Sequence, residues 1–291
     1  MKKGIILAGG SGSRLQPLTF SVTKQLLPIH DKPMIYYPLS TLMELGVFNI
    51  LLISTKEDKH LFQKLLGDGS NLGIKISYKT QAKPNGIAEG LIIAEKFVNG
   101  DPFVFILGDN LFVGSIGKKQ FKKCLSKKLG ATIFSYKVKD PERYGVVELD
   151  RYGNPLKIIE KPKKPISNQA ITGLYFYDGN ACKIAKDLNP SSRNELEISD
   201  VNKHYLKENL LTVIQLDKDV TWLDAGTINS LYEATNFVSA LELRTGEKIA
   251  CIEEIAYTNN KIDRHKLKTA IQRYGNSEYG TYLKNVLDKT N

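Results

Sequence analysis

The stretch that most constrains this chain lies at its start, where residues 4–14 read GIILAGGSGSR. Gly4-Ile5-Ile6-Leu7-Ala8 is a short apolar run with β-branched residues, as a buried strand requires. It stops at Gly9-Gly10-Ser11-Gly12-Ser13, followed by Arg14. Glycines let the backbone bend sharply and bring its N–H groups against a ligand. Successive N–H groups in such a turn make a concave anion site. Arg14 adds a guanidinium that can fork onto phosphate oxygens. A tight strand-to-helix turn without a ligand would use the same glycines, so the loop alone is not specific.

Two common phosphate motifs are absent. A dinucleotide fingerprint beginning at Gly10 needs glycine at position 15, which is Leu15. No Gly-Lys-Ser/Thr follows the loop, so it is not a P-loop either.

The rest of the chain alternates apolar runs with helical stretches. Strands are expected at Phe48–Ser54, Ile74–Tyr78, Phe103–Leu107, Ala131–Val138, Tyr144–Leu149, Leu156–Glu160, Ala170–Tyr177 and Leu211–Leu216. Helices are expected from Pro33 to Gly46, over Glu57–Leu66, after Gly86, over Ala181–Leu188 and Ile198–Asn209, from Thr227, and within 261–291. Such alternation predicts an α/β fold, a Rossmann-like, mostly parallel sheet flanked by helices. Ligands in these sheets sit beyond the carboxyl ends of the strands, which is where the glycine loop falls. Phe103–Leu107 is the cleanest buried strand, and it runs into Gly108-Asp109-Asn110. A carboxylate just past a strand end suits a hard, oxygen-seeking cation or a helix cap.

Composition sets the outer bounds. Lysine and arginine total 41 against 31 acids, a net charge of +10, which fits anionic ligands. Aromatic–basic interleaving is missing, so nucleic acid is not expected as a partner. No apolar run is long enough for a membrane span, and no signal-peptide cleavage pattern follows Lys2-Lys3. Cys124, Cys182 and Cys251 are odd in number and far apart, which fits a reducing, cytoplasmic setting. The four histidines show no metal-ligand spacing.

The pair LAGGSGSR at 7–14 and KQLLPIHDKPMIYYP at 24–38 closely resembles the signature of the sugar-1-phosphate nucleotidyltransferases. Within that family the chain is most similar to members that join dTTP to glucose 1-phosphate, over nearly its whole length. The resemblance implies a nucleotide-diphospho-sugar transferase fold with a sugar-binding insertion. It implies a catalytic domain over residues 1–240, its nucleotide part at about 1–110 and its sugar-phosphate part at about 111–240. Residues 241–291 would be a helical interface or regulatory segment.

The resemblance also assigns roles. Arg14, Lys24, Asp109, Lys161 and Asp224 would be catalytic, with Asp109 and Asp224 holding Mg²⁺. Leu7, Gly9, Gly10, Ser11, Gly12, Ser13, Gln25, Gln81, Pro84, Gly86 and Asp109 would bind the nucleotide. Asn110, Tyr144, Gly145, Glu160, Lys161, Ile171 and Trp222 would form the sugar pocket, with Thr172 and Gly173 beside Ile171. Glu195–Asp200 would be structural. Substrates would be dTTP and glucose 1-phosphate, in a cytoplasmic homotetramer.

Two departures stand out. The family pattern after Gly86 is Leu-Ala-Gln-Ala, and this chain has Ile87-Ala88-Glu89-Gly90. Thr258 replaces an arginine of members that bind a feedback inhibitor. The competing readings are the same chemistry with UTP or CTP, a catalytically silent nucleotide-sugar sensor, and an oxidoreductase.

Overall fold

The computed structural model describes residues 2–10, 12–114, 124 and 129–289. In chain order the strands are β1 (Lys3–Ala8), β2 (Pro28–Ile29), β3 (Lys32–Pro33), β4 (Asn49–Ser54), β5 (Lys75–Thr80), β6 (Phe103–Leu107) and β7 (Asn110–Val113). They continue with β8 (Ala131–Lys137), β9 (Gly145–Leu149), β10 (Pro155–Glu160), β11 (Gln169–Tyr177), β12 (Leu211–Gln215) and β13 (Thr221–Asp224). The helices are α1 (Tyr36–Glu44), α2 (Lys59–Leu66), α3 (Glu89–Val98), α4 (Ala181–Lys186) and α5 (Ile198–Lys207). Four more follow: α6 (Ile228–Thr245), α7 (Ile252–Thr258), α8 (Arg264–Tyr274) and α9 (Glu278–Lys289).

Strands β6, β1, β4 and β5 lie side by side and parallel, as βαβ connections require. Beyond β6 the sheet continues through antiparallel β11, which also pairs with β8 and β9. The nine-residue β11 is the hinge between the two halves, and its bulge between Ile171 and Tyr175 lets it serve different neighbours along its length. The sheet is covered on both faces. One cluster joins Ile5, Leu51, Phe103 and Phe105 to α3 and α4. The other joins Ile6, Leu52 and Ile106 to Leu39, Leu42 and Met43 of α1, and onward to Ile252, Leu267 and Leu283 near the C-terminus.

Local departures from expectation have physical causes. Pro33 does not open a helix; it pairs with Pro28 in a two-residue ribbon, and α1 starts three residues later. The polar stretch after the glycine loop folds into 3₁₀ turns at Ser13–Leu15, Leu18–Phe20 and Lys24–Leu26. Thr227 caps α6 through a capping box with Ser230. The sequence also carries lysine pairs at 118–119 and 122–123, which lie outside the described residues.

Candidate active site

A cavity of about 340 Å³ opens over the carboxyl ends of β1, β5 and β6. Its first wall is the turn after β1, where Gly10 and Gly12 adopt φ of +107° and +60°. Those left-handed values strain any residue with a Cβ. Leu7, Gly9, Gly10, Gly12, Ser13 and Arg14 line this end, with Gln25, Gln81, Pro84 and Gly86 facing them. Ser11 lies outside the described residues.

The middle of the cavity holds Lys24, Asp109 and Asp224. Asp109 follows the end of β6. Asp224 ends β13, which pairs antiparallel with β7 so that Asp224 stands opposite Asn110. The Ala225 N–H donates to the Asp109 carbonyl at 3.1 Å, completing the crossing. Burial alone would raise the Asp109 carboxyl, but the Lys24 ammonium that contacts it, together with hydrogen bonds to the carboxylate, holds it below its ordinary value. Asn110 Nδ2 also donates to Asp109 Oδ1, at 3.1 Å. Asp224 goes the other way. Burial, then the Asp109 charge, push it up to about 6, against the pull of Lys24, Arg14 and Arg143. Two adjoining carboxyl groups, one resisting ionisation because it is buried beside the other's charge, are an all-oxygen donor set that fits a hard divalent cation. Gly226 lies close beside them: a Cβ there would stand 2.9 Å from Asp224 Oδ1 and 3.1 Å from Arg14 Nη2.

The far end is built on β11, β10 and β13. Ile171, Gly173 and Tyr175 line the cavity from alternate positions of β11, while buried Thr172 lies between them in sequence and is not among the lining residues. Asn110 Oδ1 accepts from Trp222 Nε1 at 2.7 Å and from the Gly173 N–H at 2.9 Å. The Trp222 ring meets Tyr144 edge-on, with centroids 5.2 Å apart. Gly145 and Glu160 line the same end, and Ser199 donates to Glu160 Oε2. Lys161, at the end of β10, has φ of +40°, an unusual conformation for a lysine. Its N–H donates to the Tyr144 carbonyl at 3.0 Å, which fixes the turn.

Apart from Thr172, every described residue that the resemblance assigned to the site lines this one cavity. Others join it that sequence reasoning did not single out. Arg143 bonds Asp140 at 2.6 Å and reaches to 3.5 Å from Asp224 Oδ2. Glu195, Ile198 and Ser199 line the wall, so the 195–200 segment, expected to be structural, borders the cavity. Arg193 pairs with Glu197 at 2.7 Å and approaches Glu160 at 3.5 Å. Arg143 was within reach of sequence reasoning, being next to Tyr144. Ser199 was not, because its partner lies on another element.

Residues 3–240 match the family model described as nucleotidyl transferase. The chain is 49% identical over 287 residues to the glucose-1-phosphate thymidylyltransferase of Neisseria gonorrhoeae, covering 99% of this chain and 100% of that protein. It is 45% identical over 287 residues to the protein of that name from Mycolicibacterium smegmatis, covering 99% of each. A Bacillus anthracis crystal structure in complex with a sucrose superposes with a TM-score of 0.77 at 41% identity, covering 81% of this chain and 95% of that one. A UDP-glucose pyrophosphorylase complexed with UDP-glucose shares the fold, with a TM-score of 0.73 at 23% identity, covering 83% of this chain and 99% of that one. With a glycine loop, an acid pair and a match over most of its length, this chain belongs to the nucleotidyl transferase family.

Proposed function

We propose that the chain transfers a thymidylyl group from dTTP to α-D-glucose 1-phosphate, giving dTDP-glucose and pyrophosphate. The observation that carries this reading is a single cavity lined by Arg14, Lys24 and Lys161 together with the largely buried acids Asp109 and Asp224. The names borne by relatives of nearly equal length supply the substrates.

Both substrates are anions, so the obstacle is repulsion and alignment. A phosphate oxygen of the sugar phosphate attacks the α-phosphorus in line with the departing pyrophosphate; one P–O bond forms as the other breaks. The glycine-loop N–H groups and Arg14 hold the triphosphate. Lys24 carries positive charge toward the α-phosphorus. Lys161 orients the attacking phosphate, and Glu160, steadied by Ser199, accepts from sugar hydroxyls. No general base is needed, because the nucleophile is already ionised at neutral pH. Nucleotidyltransferases are generally metal-dependent, and here Asp109 and Asp224 would hold Mg²⁺, which neutralises phosphate charge when bound.

The same reading makes residues 1–240 the catalytic unit, in line with the extent of the family match. Residues 241–291 would serve an interface or regulatory role in a homotetramer. Ile252, Leu267 and Leu283 of this segment share a buried cluster with Leu39, Leu42 and Met43 of α1. A cytoplasmic setting is supported by three buried cysteines with no disulfide among the described residues, and no described helix is long and apolar enough to cross a membrane. Pyrophosphate release measured over a grid of dTTP, UTP and CTP against several sugar phosphates tests the proposal. Highest turnover is expected with dTTP and glucose 1-phosphate; no release with any pair overturns it.

A further inference from the structure

Gln81, just past the end of β5, is held by two partners of one kind. Its Nε2 donates to Glu89 Oε2 at 2.7 Å and to the Gly86 carbonyl at 3.2 Å. A carboxylate and a carbonyl oxygen only accept, so the amide has a single orientation with both N–H bonds used. Its Oε1 therefore points elsewhere. A Cβ on Gly9 would stand 2.5 Å from it, which puts this oxygen over the glycine loop, in the cavity that both residues line.

Glu89 is itself fixed. Asn85 Nδ2 donates to its other oxygen at 2.9 Å, and Glu89 opens α3, where the helix N-terminus favours negative charge. The turn beneath it is pinned to the chain at Leu196, which donates to the Asn85 carbonyl at 2.7 Å and accepts from the Ala88 N–H at 3.1 Å. Gly86 must be glycine there: its φ is +106°, and a Cβ would lie 2.4 Å from the Leu196 carbonyl oxygen.

We propose that Glu89 is a positioning residue for base selection. By holding one N–H of Gln81 while the Gly86 carbonyl holds the other, it leaves one acceptor facing the base, and so selects a pyrimidine whose ring nitrogen N3 carries a hydrogen. Thymine and uracil are imides of that kind. Cytosine presents a lone pair at N3, which meets the lone pairs of Gln81 Oε1. A free amide would simply turn over and offer its N–H to cytosine; the Glu89 carboxylate forbids the turn. The inference rests on the nucleotidyl-transfer reading and adds to it the residue that sets the sign of the base contact. Mispairing one buried polar contact is expected to cost about 10-fold or more in discrimination. The device does not separate thymine from uracil.

The test compares kcat/KM for dTTP and CTP in the wild-type protein, Glu89→Ala and Glu89→Gln, alongside equilibrium binding of each nucleotide. The dTTP-to-CTP ratio is expected to fall about 10-fold or more in Glu89→Ala, with Glu89→Gln between it and the wild type. A ratio within twofold of wild type in Glu89→Ala overturns the inference, even if all rates drop together, because a purely structural role lowers both alike. N3-methyl-dTTP probes the wild-type protein without any variant. It is expected to bind at least about 10-fold more weakly than dTTP, and equal binding overturns the inference. If no pyrophosphate is released with any substrate, yet the Glu89-dependent binding preference persists, the catalytic reading fails and this one stands. If pyrophosphate is released but the base preference does not change in the variants, the catalytic reading stands and this one fails.

Discussion

Asp224 stands across the β7–β13 ribbon from Asn110, so its carboxyl shares buried space with that of Asp109. The two acids are unequal: Lys24 stabilises the charge on Asp109, and Asp224 is left to repel it. Raising the folded value of Asp224 from the usual 3.8 to about 6 has a definite sign. Between those values the folded chain holds a proton that the unfolded chain has lost, so this group's contribution to metal-free stability falls as pH rises.

Asp224→Asn should remove that dependence. Without divalent metal the variant is expected to be about 1–3 kcal/mol more stable than wild type at pH 7.5, and to lose this advantage near pH 4. Urea unfolding at the two pH values measures it, and an equal gap at both would sink the assignment. Activity should fall about 10²–10³-fold, as for loss of one preorganised charge contact. Asp109→Ala should abolish turnover in Mg²⁺; full activity would remove both acids from the metal site.

Lys161 is exposed, and its backbone N–H secures the turn independently of its side chain. Lys161→Ala should therefore leave the melting temperature within a degree or two. A drop of about 10²–10³ in kcat/KM for glucose 1-phosphate is expected. Steady-state kinetics varying the sugar phosphate decide it, and a near-normal value argues that the ammonium does not touch the nucleophile.

Gly9→Ala tests the approach of Gln81 to the loop. The new methyl would stand 2.5 Å from Gln81 Oε1, and Gln81 is tied to Glu89 and Gly86. The amide must shift or the loop must open, so nucleotide affinity should fall while the fold survives. Calorimetric titration with dTTP should show binding at least about 10-fold weaker, the scale of a lost buried polar contact. Unchanged affinity would mean that the loop relaxes at no cost to the site.

What the sequence made legible was local. Apolar runs ending in glycine or in Gly108-Asp109 announce strand ends, while the ligand roles of the charged residues placed there rest on the family resemblance. In the parallel half, β1, β4 and β6 could be read because each is a largely apolar run buried on both faces, while β5, at the sheet edge, reads KISYKT and buries only Ile76. The β7–β13 ribbon could not, since each strand has only four residues and its pairing spans much of the chain. Pro33 misled because a proline before an apolar stripe opens a helix or closes a tight ribbon with equal ease. Ser199 and Glu160 are 39 residues apart, and only the packing of α5 against β10 joins them.

A second charged cluster lies away from the cavity and should behave as a structural lock. Lys32 is 1% exposed at its side chain and Glu242 is 6%. Lys32 Nζ donates to Glu242 Oε1 at 2.8 Å and also contacts Asp31. Lys248 pairs with Asp31 and sits 3.3 Å from Glu242 Oε2. The Ile249 N–H donates to Glu242 Oε1 at 2.8 Å, so the cluster ties the β2–β3 ribbon to the end of α6 and the chain beyond it. His30, Asp31 and Glu242 bring ligand-type atoms within 4.8 Å of one another, a convergence that their spacing in sequence does not announce. The lysine ammonium groups already supply the positive charge there, so added Zn²⁺ should leave the unfolding midpoint unchanged. Lys32→Ala strands a buried carboxylate and should cost about 3 kcal/mol. The double variant Lys32→Met with Glu242→Gln keeps an acceptor for Ile249 and removes the unpaired charge, so it should recover most of that loss. Urea unfolding of the three proteins measures both steps. A single-variant cost below about 1 kcal/mol would mean that Lys248 alone suffices and that Lys32 is not the keystone of the cluster.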